Sequence, residues 1–156
     1  MVPVFAARLP VLRDWNAPLD FGKTFRGKRI FGSNKTWRGL VSGTLMGGLT
    51  GILVQNLFVT GEADLAFIFL AGCLMGFGAL AGDAVESFFK RQRGFAPGAS
   101  WFPFDQIDYI IGGLVFVYPI SPLPWILVAA ILVIYFGLHV MTSYLGYLIG
   151  VKSQPI

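Results

Sequence analysis

The sequence predicts an all-α fold, a polytopic transmembrane helix bundle with two polar cytoplasmic loops. Three observations predict it. Of the 156 residues, 55% are hydrophobic and only 13% charged, with a mean hydropathy of +0.69, whereas a soluble domain carries about 25% charged residues. Long apolar runs carry glycines at helical spacing: Gly39, Gly43, Gly47 and Gly51 in one run, Gly72 with Gly76 and Gly78 with Gly82 in the next. That spacing lines one helix face with small residues and lets another helix approach closely. The basic residues are segregated: eight of twelve lie between Arg8 and Arg38, three are Lys90, Arg91 and Arg93, and the last is Lys152.

The chain reads as one membrane domain, residues 1–156. Residues 1–12 are apolar but interrupted by Pro3, Arg8 and Pro10; they fall short of the roughly 20 residues a span needs and read as the stub of an N-terminal helix. Residues 13–38 form a basic loop with turns at Pro18, Gly22, Gly27 and Gly32. Its aromatics, Trp15, Phe21, Phe25, Phe31 and Trp37, argue for an ordered segment. Spans are expected at about 39–59, 65–89, 105–119 and 125–150, with a second polar loop at 90–104. The turns at 60–64 and 121–124 carry no basic residue, so the positive-inside rule places both polar loops in the cytoplasm. A single cysteine, Cys73, excludes an internal disulfide framework or zinc cluster. No nucleic-acid partner is expected.

The chemistry concentrates between the second and third spans. Asp83, Glu86, Ser87 and Lys90 stand at i, i+3, i+4 and i+7 on one helix face, and Asp105 and Asp108 open the next helix at i, i+3. An antiparallel helix pair would bring these faces together. Converging carboxylates suit Mg²⁺, which prefers one or two carboxylates, water and phosphate oxygens; Lys90 and Arg91 would hold phosphates. The plain alternative is a salt-bridge cluster at a helix end. Two acids facing two more favour a cation between them. Glu86 is the weakest member and fits a surface residue as well. In the first loop Lys23, Arg26, Lys28, Arg29, Lys35 and Arg38 are interleaved with glycine. Headgroup binding is the plain reading. Against it, GSNKTWRG at 32–39 puts amides, a hydroxyl, Lys35 and Arg38 at a helix start, a ready anion site. Gly22, Lys23 and Thr24 do not make a P-loop, because position 17 is Ala17 and no strand is read before it. His139 is expected to face the bundle or an aqueous cleft.

SFFKR at 87–91 followed by PFDQID at 103–108 resembles the signature of the CTP-dependent cytidylyltransferases of membrane lipids, a group that includes the bacterial CDP-diacylglycerol synthases. PLDFG at 18–22, GSNKTWRG at 32–39 and the DQID form are similar to its archaeal branch, the CDP-archaeol synthases, over nearly the whole chain. The resemblance implies five transmembrane helices, where four and a stub are read. It implies transfer of CMP from CTP to 2,3-digeranylgeranyl glycerol phosphate, with Mg²⁺ and release of pyrophosphate. By position it implies Asp83, Asp105 and Asp108 as metal ligands, with Lys90 and Arg91 completing the catalytic set. Lys28, Lys35, Thr36, Arg38 and Ser87 would form the nucleotide pocket. The implied partners are CTP, an isoprenoid lipid phosphate and membrane lipids. The glycine faces suit a lateral cleft for lipid chains and would also suit a homodimer. Two alternatives stand beside it: a CDP-diacylglycerol synthase acting on phosphatidic acid, and a small cation channel or transporter, whose acids would be expected near mid-membrane. A CDP-alcohol phosphotransferase is disfavoured, because its aspartate series is absent.

Overall fold

Each helix starts and stops on a local signal. The structure, a computed structural model, describes residues 15–96 and 99–150; the expected stub at 1–12 and Lys152 lie outside them. Helix α1, Trp37–Phe58, is capped by Thr36, whose hydroxyl accepts from the Gly39 N–H at 3.2 Å. Helix α2, Leu65–Arg93, is capped by Asp64, whose carboxylate accepts from Ala66 and Phe67 N–H at 2.9 and 3.2 Å. It ends at Gly94, whose φ of +84° is left-handed. There the Gly94 and Phe95 N–H groups reach the Arg91 and Lys90 carbonyls at 3.1 and 3.0 Å. Lys90, Arg91 and Arg93 occupy the last turn, where cations complement the helix dipole. Helix α3, Phe104–Val117, carries Asp105 in its first turn, and α4, Trp125–Leu148, follows Pro124.

Helices α1, α2 and α4 are long and apolar enough to cross a membrane. Helix α3 has 14 residues, about 21 Å at 1.5 Å per residue, short of a hydrocarbon core of roughly 30 Å. Among the described residues only Ala84, Ile110 and Val117 are buried apolar side chains, while Leu, Ile, Val and Phe cover the outside. The buried set is mainly polar: Asp20, Arg38, Glu86, Ser87, Lys90, Gln106 and Ser143. This inverts a soluble protein, as expected of a chain solvated by lipid tails.

With lipid as solvent, close packing of small residues holds helices together. Helix α2 is central, packed on α1 along one side and α3 along the other, and α4 touches α3 more sparsely. Gly47 and Gly48 of α1 meet Gly72 of α2 backbone to backbone. Gly78 and Gly82 of α2 meet Gly112 and the Asp108 carbonyl of α3 in the same way. A Cβ at Gly47, Gly72, Gly78, Gly82 or Gly112 would overlap the facing backbone, and one at Gly48 would overlap the Cys73 and Phe69 side chains.

The basic segment departs from its expected irregular form. It contains an antiparallel hairpin of β1, Thr24–Phe25, and β2, Lys28–Arg29, in the register Thr24↔Arg29 and Phe25↔Lys28. Arg26 and Gly27 turn it with φ of +52° and +76°, the positive pair of a type I′ turn. Strands this short leave no alternating pattern to read. Leu19 N–H to the Lys35 carbonyl (2.8 Å) and Trp37 N–H to the Ala17 carbonyl (3.0 Å) close the segment at the start of α1.

Gly112→Val should lower the melting temperature in detergent, by about 1–3 kcal/mol of overpacking, since its Cβ would lie 3.0 Å from the Gly82 Cα and against the Gly78 carbonyl. Gly137→Ala, where a Cβ meets nothing within 4 Å, should leave it unchanged or raise it. Equal melting temperatures for the two variants would contradict the packing account.

Candidate active site

The basic segment is folded around one carboxylate. The Asp20 side chain is fully buried and accepts from Arg29 Nη2 (2.6 Å) and Nε (3.2 Å). It also accepts from the N–H groups of Gly22 (3.0 Å), Phe31 (3.1 Å) and Gly32 (3.1 Å). Burial alone would raise its pKa, but these donors outweigh burial and hold the carboxyl far below the usual range. The same pairing raises Arg29.

So held, the segment leans on the end of α2. Phe25 packs on Phe88 with ring centroids 6.0 Å apart, and Lys28 Nζ donates to the Gln92 carbonyl at 2.8 Å. Lys35 Nζ reaches Asp83 Oδ2 at 2.5 Å. The two polar loops therefore meet at one end of the bundle.

At that end the glycine contact between α2 and α3 gathers acids. Asp83, Glu86 and Asp108 each offer a carboxylate oxygen, all within 4.8 Å of one another. Glu86, which from sequence fitted the acidic face or the surface, is buried, because its face of α2 is turned to α3. Asp108 also accepts from the adjacent Tyr109 N–H at 2.7 Å. Asp105, expected as a third metal ligand, lies just outside this trio, against Glu86. One oxygen pairs with Lys90 Nζ at 2.5 Å and the other accepts the Trp101 N–H at 3.0 Å. Lys90 is buried between Asp105 and Glu86, the latter at 3.0 Å. Its ammonium is thus committed to carboxylates, where phosphate binding was expected.

The remaining expected residues surround this centre at varying remove. Ser87 is buried one residue along from Glu86. The Thr36 hydroxyl caps α1, and Arg38 is buried with Nη2 donating to Asn16 Oδ1 at 3.3 Å. Arg91 donates to the Ala96 carbonyl at 2.9 Å. Tyr109 directs its hydroxyl to His139 Nδ1, 3.4 Å away on α4.

Beside the carboxylates runs an apolar groove of about 540 Å³ between α2 and α3. Its lining passes from Glu86, Asp108, Arg93 and Trp101 at the polar end to the exposed Val115 and Phe116 further along α3. Asp20 and the groove residues Arg93 and Trp101 were not singled out from sequence, and Glu86 was named on the acidic face but not among the metal ligands. An Asp two residues before a glycine was the available signal for Asp20.

A family model, CarS-like CDP-archaeol synthase, matches residues 1–156. The chain belongs to the CDP-archaeol synthase family. It is 38% identical to the CDP-archaeol synthase of Pyrococcus furiosus over 152 residues, covering 97% of this chain and 90% of that protein. It is also 38% identical to that of Thermococcus onnurineus over 154 residues, with coverage of 97% and 89%. A solved structure, described as an intramembrane enzyme for archaeal membrane lipids biosynthesis, superposes with a TM-score of 0.68 at 26% identity. That match covers 90% of this chain and 87% of the other. An all-α membrane enzyme is thus the setting in which the CDP-archaeol synthase site must be understood.

Asp20→Ala should destabilise the protein at neutral pH by about 2–3 kcal/mol, from the buried donors left without an acceptor. The Asp20 contribution is present above the unfolded carboxyl pKa of about 3.9 and is lost as pH falls through the lower folded value. The melting temperature gap to the parent protein should therefore hold from pH 8 down to about 5 and narrow only below about 4. A gap that closed near neutrality would rule out the depressed carboxyl.

Proposed function

We propose that Asp83, Glu86 and Asp108 form the centre at which CMP passes from CTP to 2,3-digeranylgeranyl glycerol phosphate, giving CDP-archaeol and pyrophosphate. One observation carries this placement. Glu86 and Asp108 belong both to the carboxylate cluster and to the wall of the apolar groove, while Lys35 of the basic segment reaches the same cluster through Asp83. A water-soluble triphosphate and a lipid would meet there.

The donor set fits Mg²⁺. Three hard oxygens within 4.8 Å, with a lysine ammonium already drawn to one of them, form a site that attracts a cation. Asp83, Glu86 and Asp108 would hold the ion, which when bound neutralises phosphate charge. Asp105 would act through Lys90, fixing that ammonium beside Glu86. The reaction needs no serine or cysteine nucleophile. An oxygen of the lipid phosphate attacks the α-phosphorus of CTP, the bond to the oxygen bridging to the β-phosphate breaks, and pyrophosphate leaves. The chain contributes position and charge. Lys35 would move from Asp83 to the triphosphate, with Lys28, Thr36 and Arg38 of the same segment, Ser87 and Arg91 framing it. By the positive-inside rule the basic loops favour a cytoplasmic position for this end of the bundle. The groove would take the isoprenoid chains.

Purified protein given cytidine-labelled CTP, Mg²⁺ and the isoprenoid lipid phosphate should form a lipid-soluble cytidine product and one pyrophosphate for each. No such product, or ion flux in liposomes in its place, would overturn the reading. Phosphatidic acid as the better acceptor would instead favour a CDP-diacylglycerol synthase. Asp108→Asn should cut turnover at least ~100-fold, the scale of losing a principal electrostatic group, with the melting temperature retained. Turnover like that of the parent would remove Asp108 from the centre. Chelation should stop the reaction and added Mg²⁺ restore it.

A further inference from the structure

Among the described residues lining the groove between α2 and α3, Arg93 is the one cation. Its guanidinium lies over the Trp101 ring, 4.5 Å from the centroid. Trp101 is itself wedged between Phe104 and Phe95, with centroids 4.4 and 5.8 Å away. Stacking of this kind fixes the guanidinium plane and leaves its N–H edge for a planar or tetrahedral oxyanion. The neighbouring cations are committed elsewhere. Lys90 pairs with Glu86 and Asp105, Lys35 with Asp83, and Lys28 and Arg91 donate to backbone carbonyls. Among the described residues no carboxylate pairs with Arg93, which is exposed at the groove mouth. It stands seven residues beyond Glu86 on α2, about 10 Å along the axis. Side chains on a helix lean toward its N-terminus, which here is toward the carboxylates. Trp101 is tied to the same network, since its N–H holds Asp105.

We infer that Arg93, clamped on Trp101, binds the phosphate monoester of the lipid acceptor and so keeps the acceptor phosphate distinct from the triphosphate held by the basic segment. This rests on the proposed reaction. A phosphate at Arg93 belongs to the molecule whose chains fill the groove, because Arg93 lines the groove and the basic-segment residues do not. Triphosphate oxygens share the same chemistry, so the test must separate the two sources.

The full chain in nanodiscs, with CTP and the isoprenoid lipid phosphate varied independently, provides it. Arg93→Gln should raise KM for the lipid phosphate at least ~10-fold, the scale of one lost charge-assisted contact, with KM for CTP within about twofold. Arg93→Lys should recover part of the loss, having the charge without the fork. Trp101→Leu should shift the lipid KM in the same direction. In direct binding, the protein should prefer a dialkyl glycerol phosphate over the matching neutral dialkyl glycerol, and Arg93→Gln should erase that preference. A rise confined to the CTP KM would assign Arg93 to the triphosphate and overturn the inference, as would no change in either. If Arg93→Gln does not fold, Arg93→Lys decides by the same split. Failure of the underlying reaction would show separately, as absence of cytidine-lipid product from the parent protein.

Discussion

The site depends on a backbone contact between two helices. Gly78 and Gly82 on α2 admit Gly112 and the Asp108 carbonyl of α3 at a distance no side chain would allow. At the loop end of that contact, the approach brings Asp83 and Glu86 to Asp108. The same device on the opposite side of α2, Gly72 against Gly47 and Gly48, seats α1 so that its capping segment delivers Lys35 to Asp83. Four acids brought this close in an apolar surround repel one another. Lys35 and Lys90, each against a carboxylate at 2.5 Å, offset that repulsion. Packing sets the geometry, and the ammonium groups make it tolerable.

The basic segment solves a different problem. It has no hydrophobic core, yet it must present cations at fixed positions. Asp20 supplies the organising point, with five donors converging on one carboxylate. Two positive-φ turns, at Phe21–Gly22 and Arg26–Gly27, fold the chain back around it. A long loop tied in this way loses little further entropy when it meets a nucleotide, which is how preorganisation improves binding.

The bundle was legible in the sequence because its signals are local. Apolar length marks helices, and four-residue glycine spacing marks where they touch. The β-hairpin was not, since two-residue strands of Thr24, Phe25, Lys28 and Arg29 show no periodicity. Within the site, helical spacing put Asp83 and Glu86 on one face and opened α3 with Asp105 and Asp108. What it could not assign was which acids take which partners. Glu86 and Lys90 at i, i+4 look like an exposed ion pair in one dimension, whereas both are buried once α3 is in place. Asp105 and Asp108 look equivalent in sequence, but Asp105 also faces the Trp101 amide and Lys90. Arg93 gave no signal of its own, because its distinction from Arg91 is the aromatic wall contributed by Trp101.

Helix α2 is 29 residues long, about 43 Å against a hydrocarbon core of roughly 30 Å. Asp83 is eighteen residues past its start at Leu65, about 27 Å along, near the boundary where headgroups begin. On the proposed reading the two substrates therefore arrive through spaces of different dimension. CTP comes from bulk water, and its supply follows molarity. The lipid diffuses in a plane and stays in its own leaflet, so its supply follows its mole fraction in the membrane. Bilayer composition, rather than total lipid added, then governs saturation by the acceptor.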